Sequence, residues 1–334
     1  MSADIPTTLL QTGIQSFWDL SNAFLTTLLG KDDDAQQPSL IICGASDAST
    51  YFYLEHPFHN PPGSCFGTDW VVILILTVII HTISWGTRWL LWEPLAKYRM
   101  QGIKSFTLEE QKRFSMTCTA CMNFTLSAVF AYRILGNKPW LLERQDWTVR
   151  QPLIDADFKF YYLLYAARFL SDMVSLLFES RQLDALIAAV IHHCVTLGLI
   201  FGSAMVGHTR YGGVIMFFFD WADIPLLLAK ACKYVSKSNT DLCQLAANRL
   251  FEFFAVLFFA TRCVLYNYVV YAAWMDLTND WVNRVCQYLL LLLVALQTYW
   301  MGLIINAAVR ISNNGGVAED ARDDDLKKDK KKTQ

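Results

Sequence analysis

Seven stretches of this chain stay apolar long enough to cross the ~30 Å of bilayer hydrocarbon at about 1.5 Å of helix rise per residue. They run over 69–92, 113–134, 158–178, 185–204, 211–230, 249–271 and 285–309. Trp70 and Trp92 bracket the first as interfacial anchors. The second is diluted by Thr, Cys and Ser, and the sixth carries Arg249, Glu252 and Arg262. The pattern predicts an all-α polytopic membrane helix bundle of about seven transmembrane helices.

Composition sharpens this. Of 334 residues 54% are apolar and only 17% charged, with a mean hydropathy of +0.28. A soluble domain runs nearer 45–50% apolar with about a quarter charged, so a disordered chain and a soluble single-core enzyme are both excluded. The net charge of -2 points to no nucleic-acid partner. The placement of charge is more informative than its sum. Lys97, Arg99, Lys104, Lys112, Arg113, Arg181, Lys230, Lys233, Lys237, Arg310, Arg322 and the lysines from Lys327 to Lys332 fall on one side of the membrane. The other side holds only Lys31, Arg133, Lys138, Arg144, Arg150 and Arg210. The basic side is expected to be cytosolic, which places the N-terminus in a lumen and the C-terminus in the cytosol.

The expected organisation is a lumenal N-terminal region (1–68), a first span with a cytosolic linker (69–103), a membrane domain (104–311) and a disordered cytosolic tail (312–334). Residues 1–68 lack a basic n-region and do not read as a signal peptide. Residues 7–29 suit a weakly amphipathic helix, and 31–38 and 56–64 suit loops. Cys118 and Cys121 form a CxxC inside an apolar helix with no second ligand pair, which favours packing over redox or zinc chemistry. Cys43 and Cys65 would share an oxidising lumen, where a disulfide could form. The sequon at Asn123 falls inside the second span and is expected to be unused.

Ionisable side chains within a bilayer cost ~2.5–3.5 kcal/mol each on insertion scales, and each is a functional hypothesis. The fourth span carries His192 and His193 at its centre, and the fifth carries Asp220 and Asp223 one turn apart. Counted from the cytosolic ends, His192 lies about 12 Å deep, and Asp223 and Asp220 about 10 and 15 Å. Two spans thus bring four titratable groups to one level. His192 and Thr196 share a helix face, as do Asp220 and Asp223. Pro225 should loosen the fifth span just past the acids. Arg168 and Asp172, four apart on the third span, are expected to neutralise each other, and Arg262 to snorkel or pair helices. Six histidines with one mid-membrane pair are too few for a di-iron histidine box. No HExxH-like spacing, phosphate-cradling glycine loop or GxSxG is present, and no metal site is expected. His with Asp remains: a general base or nucleophile supported by a carboxylate.

The stretch from FKFYYLLYAARFLSDM through IHHCVTLGLIF to YGGVIMFFFDWADIPLLLAK resembles the longevity-assurance motif of ceramide synthases, in the TLC-domain superfamily. The likeness extends to KPWLLERQDW upstream and FEFFAVLFFATR downstream, covering roughly 138–262. HHxxT, Arg210-x-Gly212, DxxD and Lys230 fall in the family's register. The chain departs from it at Phe219, where the family usually has His, and at Leu227, where it has an acid. Tyr165, Arg168 and Asp172 also differ, and the basic run before the motif is reduced to Arg181-Gln-Leu-Asp184. No homeobox-like insert separates spans one and two.

The resemblance implies a six-helix TLC core plus an N-terminal span, and N-acylation of a sphingoid base by fatty acyl-CoA to give ceramide or dihydroceramide. It implies no cofactor beyond acyl-CoA as co-substrate. His192, His193, Asp220 and Asp223 would be catalytic: His192 as acylated nucleophile or general base, His193 assisting, and the two acids holding a histidine tautomer. Thr196, Trp221, Lys230, Arg168 and Asp172 are the expected substrate contacts. Tyr271 to Trp281 is the candidate for setting chain length. Expected partners are acyl-CoA, sphingoid base, membrane lipids and a second subunit in a homodimer or heterodimer. Two other readings stay open: a non-catalytic TLC protein that binds or senses lipid, and an acyltransferase with another acceptor. The terminal Lys331-Lys332-Thr333-Gln334 has the form of a dilysine retrieval signal, so the endoplasmic reticulum membrane is the expected location.

Overall fold

The computed structural model describes residues 40–41, 66–100, 107–149, 153–154, 156–176, 183–236, 241–277 and 280–314, all within the single unit Leu40–Gln334. The expected helix over 7–29, the loops at 31–38 and 56–64, Cys43, Cys65 and the dilysine end lie outside these residues.

Each apolar stretch is a helix. They are α1 (Phe66–Thr87), continued by a π-turn Arg88–Trp92 and α2 (Glu93–Met100), then α3 (Leu108–Leu135). After the short turn α4 (Arg144–Trp147) come α5 (Ala156–Leu176), α6 (Leu183–Val206) and α7 (Thr209–Ser236). Next are α8 (Asp241–Phe258), the π-turn Phe259–Leu265, α9 (Tyr266–Asp276) and α10 (Trp281–Asn314). A two-residue antiparallel pair, β1 (Leu40–Ile41) with β2 (Leu153–Ile154), is the one strand pairing among the described residues. Helix α10 runs to Asn314, three residues into the expected tail, and the rest of that tail lies outside the described residues.

Among the described residues six segments are long and apolar enough to cross a membrane: Asp69–Tyr98, Leu108–Leu135, Ala185–Val206, Thr209–Val235, Leu242–Asp276 and Trp281–Ile311. The predicted third span, α5, is the exception, since it carries Lys159, Arg168 and Asp172. Its charge explains its place. Phe158, Tyr161, Tyr162, Tyr165, Ala166, Ala167 and Phe169 are buried, and Lys159 reaches Asp69 of α1 at 2.9 Å. A helix with charges that need partners is held among other helices and kept from lipid.

Helix pairing runs α5 against α6, α6 against α10, α10 against the π-turn after α8, α8 against α7, α7 against α3, and α3 back to α5. Helix α1 packs on α5, where Thr77 donates to Ala167 O at 3.3 Å and His81 Nδ1 sits 3.4 Å from Ser171 Oγ. The predicted six-helix core with an extra N-terminal span has this arrangement.

Two local devices fix the register. At the start of α3, Thr107 and Glu110 form a reciprocal capping box, each side chain taking the other's backbone N–H at 3.2 and 3.0 Å. Between α6 and α7, Gly207 has φ 76°. His208 N–H bonds Ser203 O at 2.9 Å and Gly207 N–H bonds Ala204 O at 3.3 Å, a Schellman closure that suits glycine. The turn reverses the chain from α6 into α7. His192 precedes it by about as many residues as Asp223 follows it, so both lie roughly 22–24 Å from the pivot.

Candidate active site in the helix bundle

The four titratable groups of α6 and α7 meet on the wall of one cavity of about 320 Å³. All six helices of the ring line it, and α1 contributes nothing to its wall. Along α6 the wall runs from His192 to Val206, about 21 Å of helix, or roughly two-thirds of a bilayer's hydrocarbon thickness. Arg168, Asp172, His192, His193, Thr196, Asp220, Asp223 and Arg262 gather toward one end. Leu199, Ile200, Met216, Phe219, Leu290 and Leu293 make the middle apolar.

The carboxylates are held by guanidiniums. Arg168 grips Asp220 with two hydrogen bonds of 3.0 Å each, and Tyr165 Oη donates to the same carboxylate at 3.2 Å. Asp220 is 2% exposed. Arg262 Nη2 donates to Asp223 Oδ2 and, at 3.4 Å, to Phe219 O. Arg168, expected to be neutralised by Asp172 on its own helix, has Asp220 of α7 as its two-pronged partner, and Asp172 adds to the attraction. Asp172 remains on the cavity wall with its charge near Arg168. Arg262 acts as a helix-pairing residue.

Aromatic rings surround both cations. The Arg168 guanidinium lies 4.5 Å from the Tyr165 ring centroid, 4.7 Å from Phe124 and 5.2 Å from Phe169. Arg262 lies 4.7 Å from Phe219 and 5.2 Å from Phe258. A desolvated cation gains most from such ring faces. That accounts for Phe219: a second imidazole there would sit against a fixed guanidinium, whereas a phenyl face attracts it.

The imidazoles are placed differently. His192 packs at ring-centroid distances of 5.9 Å from Phe169, 5.6 Å from His193 and 5.2 Å from Trp300. Its Nδ1 and Thr196 Oγ1 are buried and have no hydrogen-bond partner among the described residues. His193 lies 5.2 Å from Phe169. Asp220 and Asp223 engage the guanidiniums. This leaves the His192 ring nitrogen open to a reacting group. Because each carboxylate is paired with a cation, the buried charge largely cancels.

Two expected contacts lie off the cavity. Trp221 is 38% exposed, because the inward face of α7 carries Asp220 and Asp223 and turns Trp221 outward. Lys230 lies two turns beyond Asp223 and does not line the wall. Asn123 hydrogen-bonds Ser84 of α1 at 2.9 Å, as expected for a sequon inside the bundle. Cys118 and Cys121 are half-buried free thiols on α3. Among the described residues no three His, Cys, Asp or Glu side chains converge as a metal site requires.

The far end is closed by residues whose role was not apparent from the sequence alone. Arg210 donates to Asp146 O at 2.7 Å and Trp147 Nε1 to Trp140 O at 2.9 Å, which folds KPWLLERQDW over the α6–α7 turn. Gly212 gives way to Tyr162, since a Cβ there would lie 2.0 Å from its hydroxyl. Tyr162 in turn bonds Ser203 at 2.7 Å. Ala273 and Leu277, from the predicted length-setting connection, line this end. Arg144 clamps that connection through two 2.9 Å bonds to Asp276, which push the Arg144 pKa up.

Similarity to known proteins agrees with this geometry. The chain is 25% identical over 284 residues to Alternaria stem canker resistance protein 1 of Solanum lycopersicum, covering 77% of this chain and 90% of that one. It is 31% identical over 227 residues to ceramide synthase 5 of Homo sapiens, covering 62% and 54%. Against a ceramide synthase of Gibberella moniliformis it is 26% identical over 325 residues, covering 83% and 72%. The chain spans about half the length of the mouse and human relatives it matches. The TLC domain matches residues 113–306, which take in the whole cavity wall from Ala120 to Leu293, and the chain belongs to the TLC-domain family.

Proposed function

We propose that the chain is a ceramide synthase, transferring a fatty acyl group from acyl-CoA to the amine of a sphingoid base. The observation that carries this reading is the His192–His193 pair on the wall of an apolar cavity of acyl-chain dimensions, with its flanking carboxylates already neutralised by Arg168 and Arg262. Relatives named ceramide synthases support the same chemistry.

In this reading the thioester carbonyl sits beside His192 and the acyl tail runs toward Leu277. The amine nitrogen bonds to the carbonyl carbon, the carbon–sulfur bond breaks, and CoA leaves as its thiol. His192, assisted by His193, takes the proton the amine must lose, or first accepts the acyl group itself. Arg168 and Arg262, fixed by Asp220 and Asp223, offer positive charge where an oxyanion develops. Thr196 and Asp172 contact substrate at the same level.

The protein is placed in the endoplasmic reticulum membrane, with the His/Asp level toward the cytosol. The Lys and Arg of the connections at that end support the cytosolic orientation, which lets the CoA head stay in water.

The test gives purified wild type, His192→Ala and Asp220→Ala a sphinganine and a series of acyl-CoAs, and measures N-acyl product. The expected outcome is product from wild type and a loss of at least ~100-fold in both variants, the scale of a removed general base. Full activity in both variants would overturn the assigned site. A folded wild type that binds lipid without forming product would favour a lipid-binding or sensing role.

A further inference from the structure

Helix α10 carries two fully buried glutamines in opposite situations. Gln287, 1% exposed, is satisfied at both ends: Nε2 donates to Ala273 O at 2.9 Å and Oε1 accepts from Arg284 Nη1 at 3.3 Å. Gln297, 2% exposed, is satisfied at neither, since both its Nε2 and Oε1 are buried without a hydrogen-bond partner among the described residues. A buried amide in this state bears its full desolvation cost, so its retention calls for an explanation.

Its position supplies one. Cys286, Leu290 and Leu293 line the cavity from one stripe of α10. Gln297 is the next residue on that stripe, one turn past Leu293 toward the histidines. Trp300, three residues further, packs its ring 5.2 Å from His192. Thr196 Oγ1 and His192 Nδ1, also buried without partners, belong to the same end of the cavity. The open polar atoms of Thr196 and His192 thus line the cavity where a substrate head would sit, and those of Gln297, which does not line it, stand one turn beyond Leu293.

An amide offers one acceptor and a two-proton donor, whereas a thioester carbonyl can only accept. A partner that satisfies both ends must donate and accept, as hydroxyls do. We propose that Gln297 binds the hydroxyl-bearing head of the acceptor amine, with one hydroxyl donating to Oε1 and another accepting from Nε2. The residue thereby selects amino alcohols over plain long-chain amines. This rests on the acyl-transfer reading above.

The test uses the purified full chain in detergent micelles with hexadecanoyl-CoA. It compares sphinganine with octadecylamine, which has the same chain length and no hydroxyl, in wild type and Gln297→Leu. Wild type should prefer sphinganine by about 10⁴-fold in kcat/KM, the discrimination expected of a site built to hydrogen-bond a substrate hydroxyl. Gln297→Leu should lose at least ~10-fold with sphinganine and change less than about 2-fold with octadecylamine. Equal losses with both amines, or no loss with either, would overturn the assignment. Because leucine removes an unsatisfied amide, the unliganded variant should melt at or above the wild-type Tm.

If wild type acylates neither amine, the acyl-transfer reading fails and thermal shifts decide this one. Sphinganine raising the Tm of wild type more than that of Gln297→Leu, with octadecylamine raising both alike, sustains hydroxyl recognition. Equal shifts in the two proteins refute it.

Discussion

Asp220 is the residue on which the site's electrostatics turn, because its two oxygens are taken by Arg168 and Tyr165 at 2% exposure. Removing one member of such a pair strands the other as a buried charge, at a cost of about 3–5 kcal/mol. Arg168→Leu should therefore lower the Tm sharply. Arg168→Leu with Asp220→Leu should recover most of that loss while leaving acyl transfer abolished. Thermal melts in micelles, beside product formation, separate the two effects; a double variant no more stable than the single one would contradict the pairing. The sequence showed that these charges needed partners, since each sits in an apolar span. It did not show which partners, because Asp172 stands four residues from Arg168 and offers a local answer. Helix rotation decides between them, and rotation depends on packing from α3 and α7 that no local pattern encodes. Trp221 went astray for the same reason.

At the scale of elements, the common level of His192, His193, Asp220 and Asp223 was legible, because helix rise counted from the basic ends of the two spans gives matching depths. The far end was less legible. KPWLLERQDW and the connection after α9 contribute through backbone acceptors and a single clamp, Arg144 on Asp276, which spacing does not reveal. Ala273 and Leu277 belong to that connection and to the cavity wall. Replacing Tyr271 to Trp281 with a differently sized segment should shift the distribution of acyl lengths in the product, read by mass spectrometry. An unchanged distribution would remove the connection from any role in measuring the chain.

Across the whole molecule, the low charged fraction of 17% is what makes the site readable: the few charges inside the bundle have a reason to be there. Six helices make a ring around a cavity, and a seventh stands against α5. The same distribution of Lys and Arg implies that the end of α10 faces the cytosol. In sealed microsomes, an epitope placed after α10 should be digested by added protease without detergent. Its protection would invert the topology and move the histidines to the lumenal half.

The most direct measurement is stoichiometric. Purified protein in micelles, given sphinganine and hexadecanoyl-CoA, should release one CoA thiol for each N-hexadecanoylsphinganine formed, and neither should appear when the amine is omitted beyond a single turnover. Thiol release without amide, or no release from a folded protein that binds both substrates, would contradict acyl transfer to the amine.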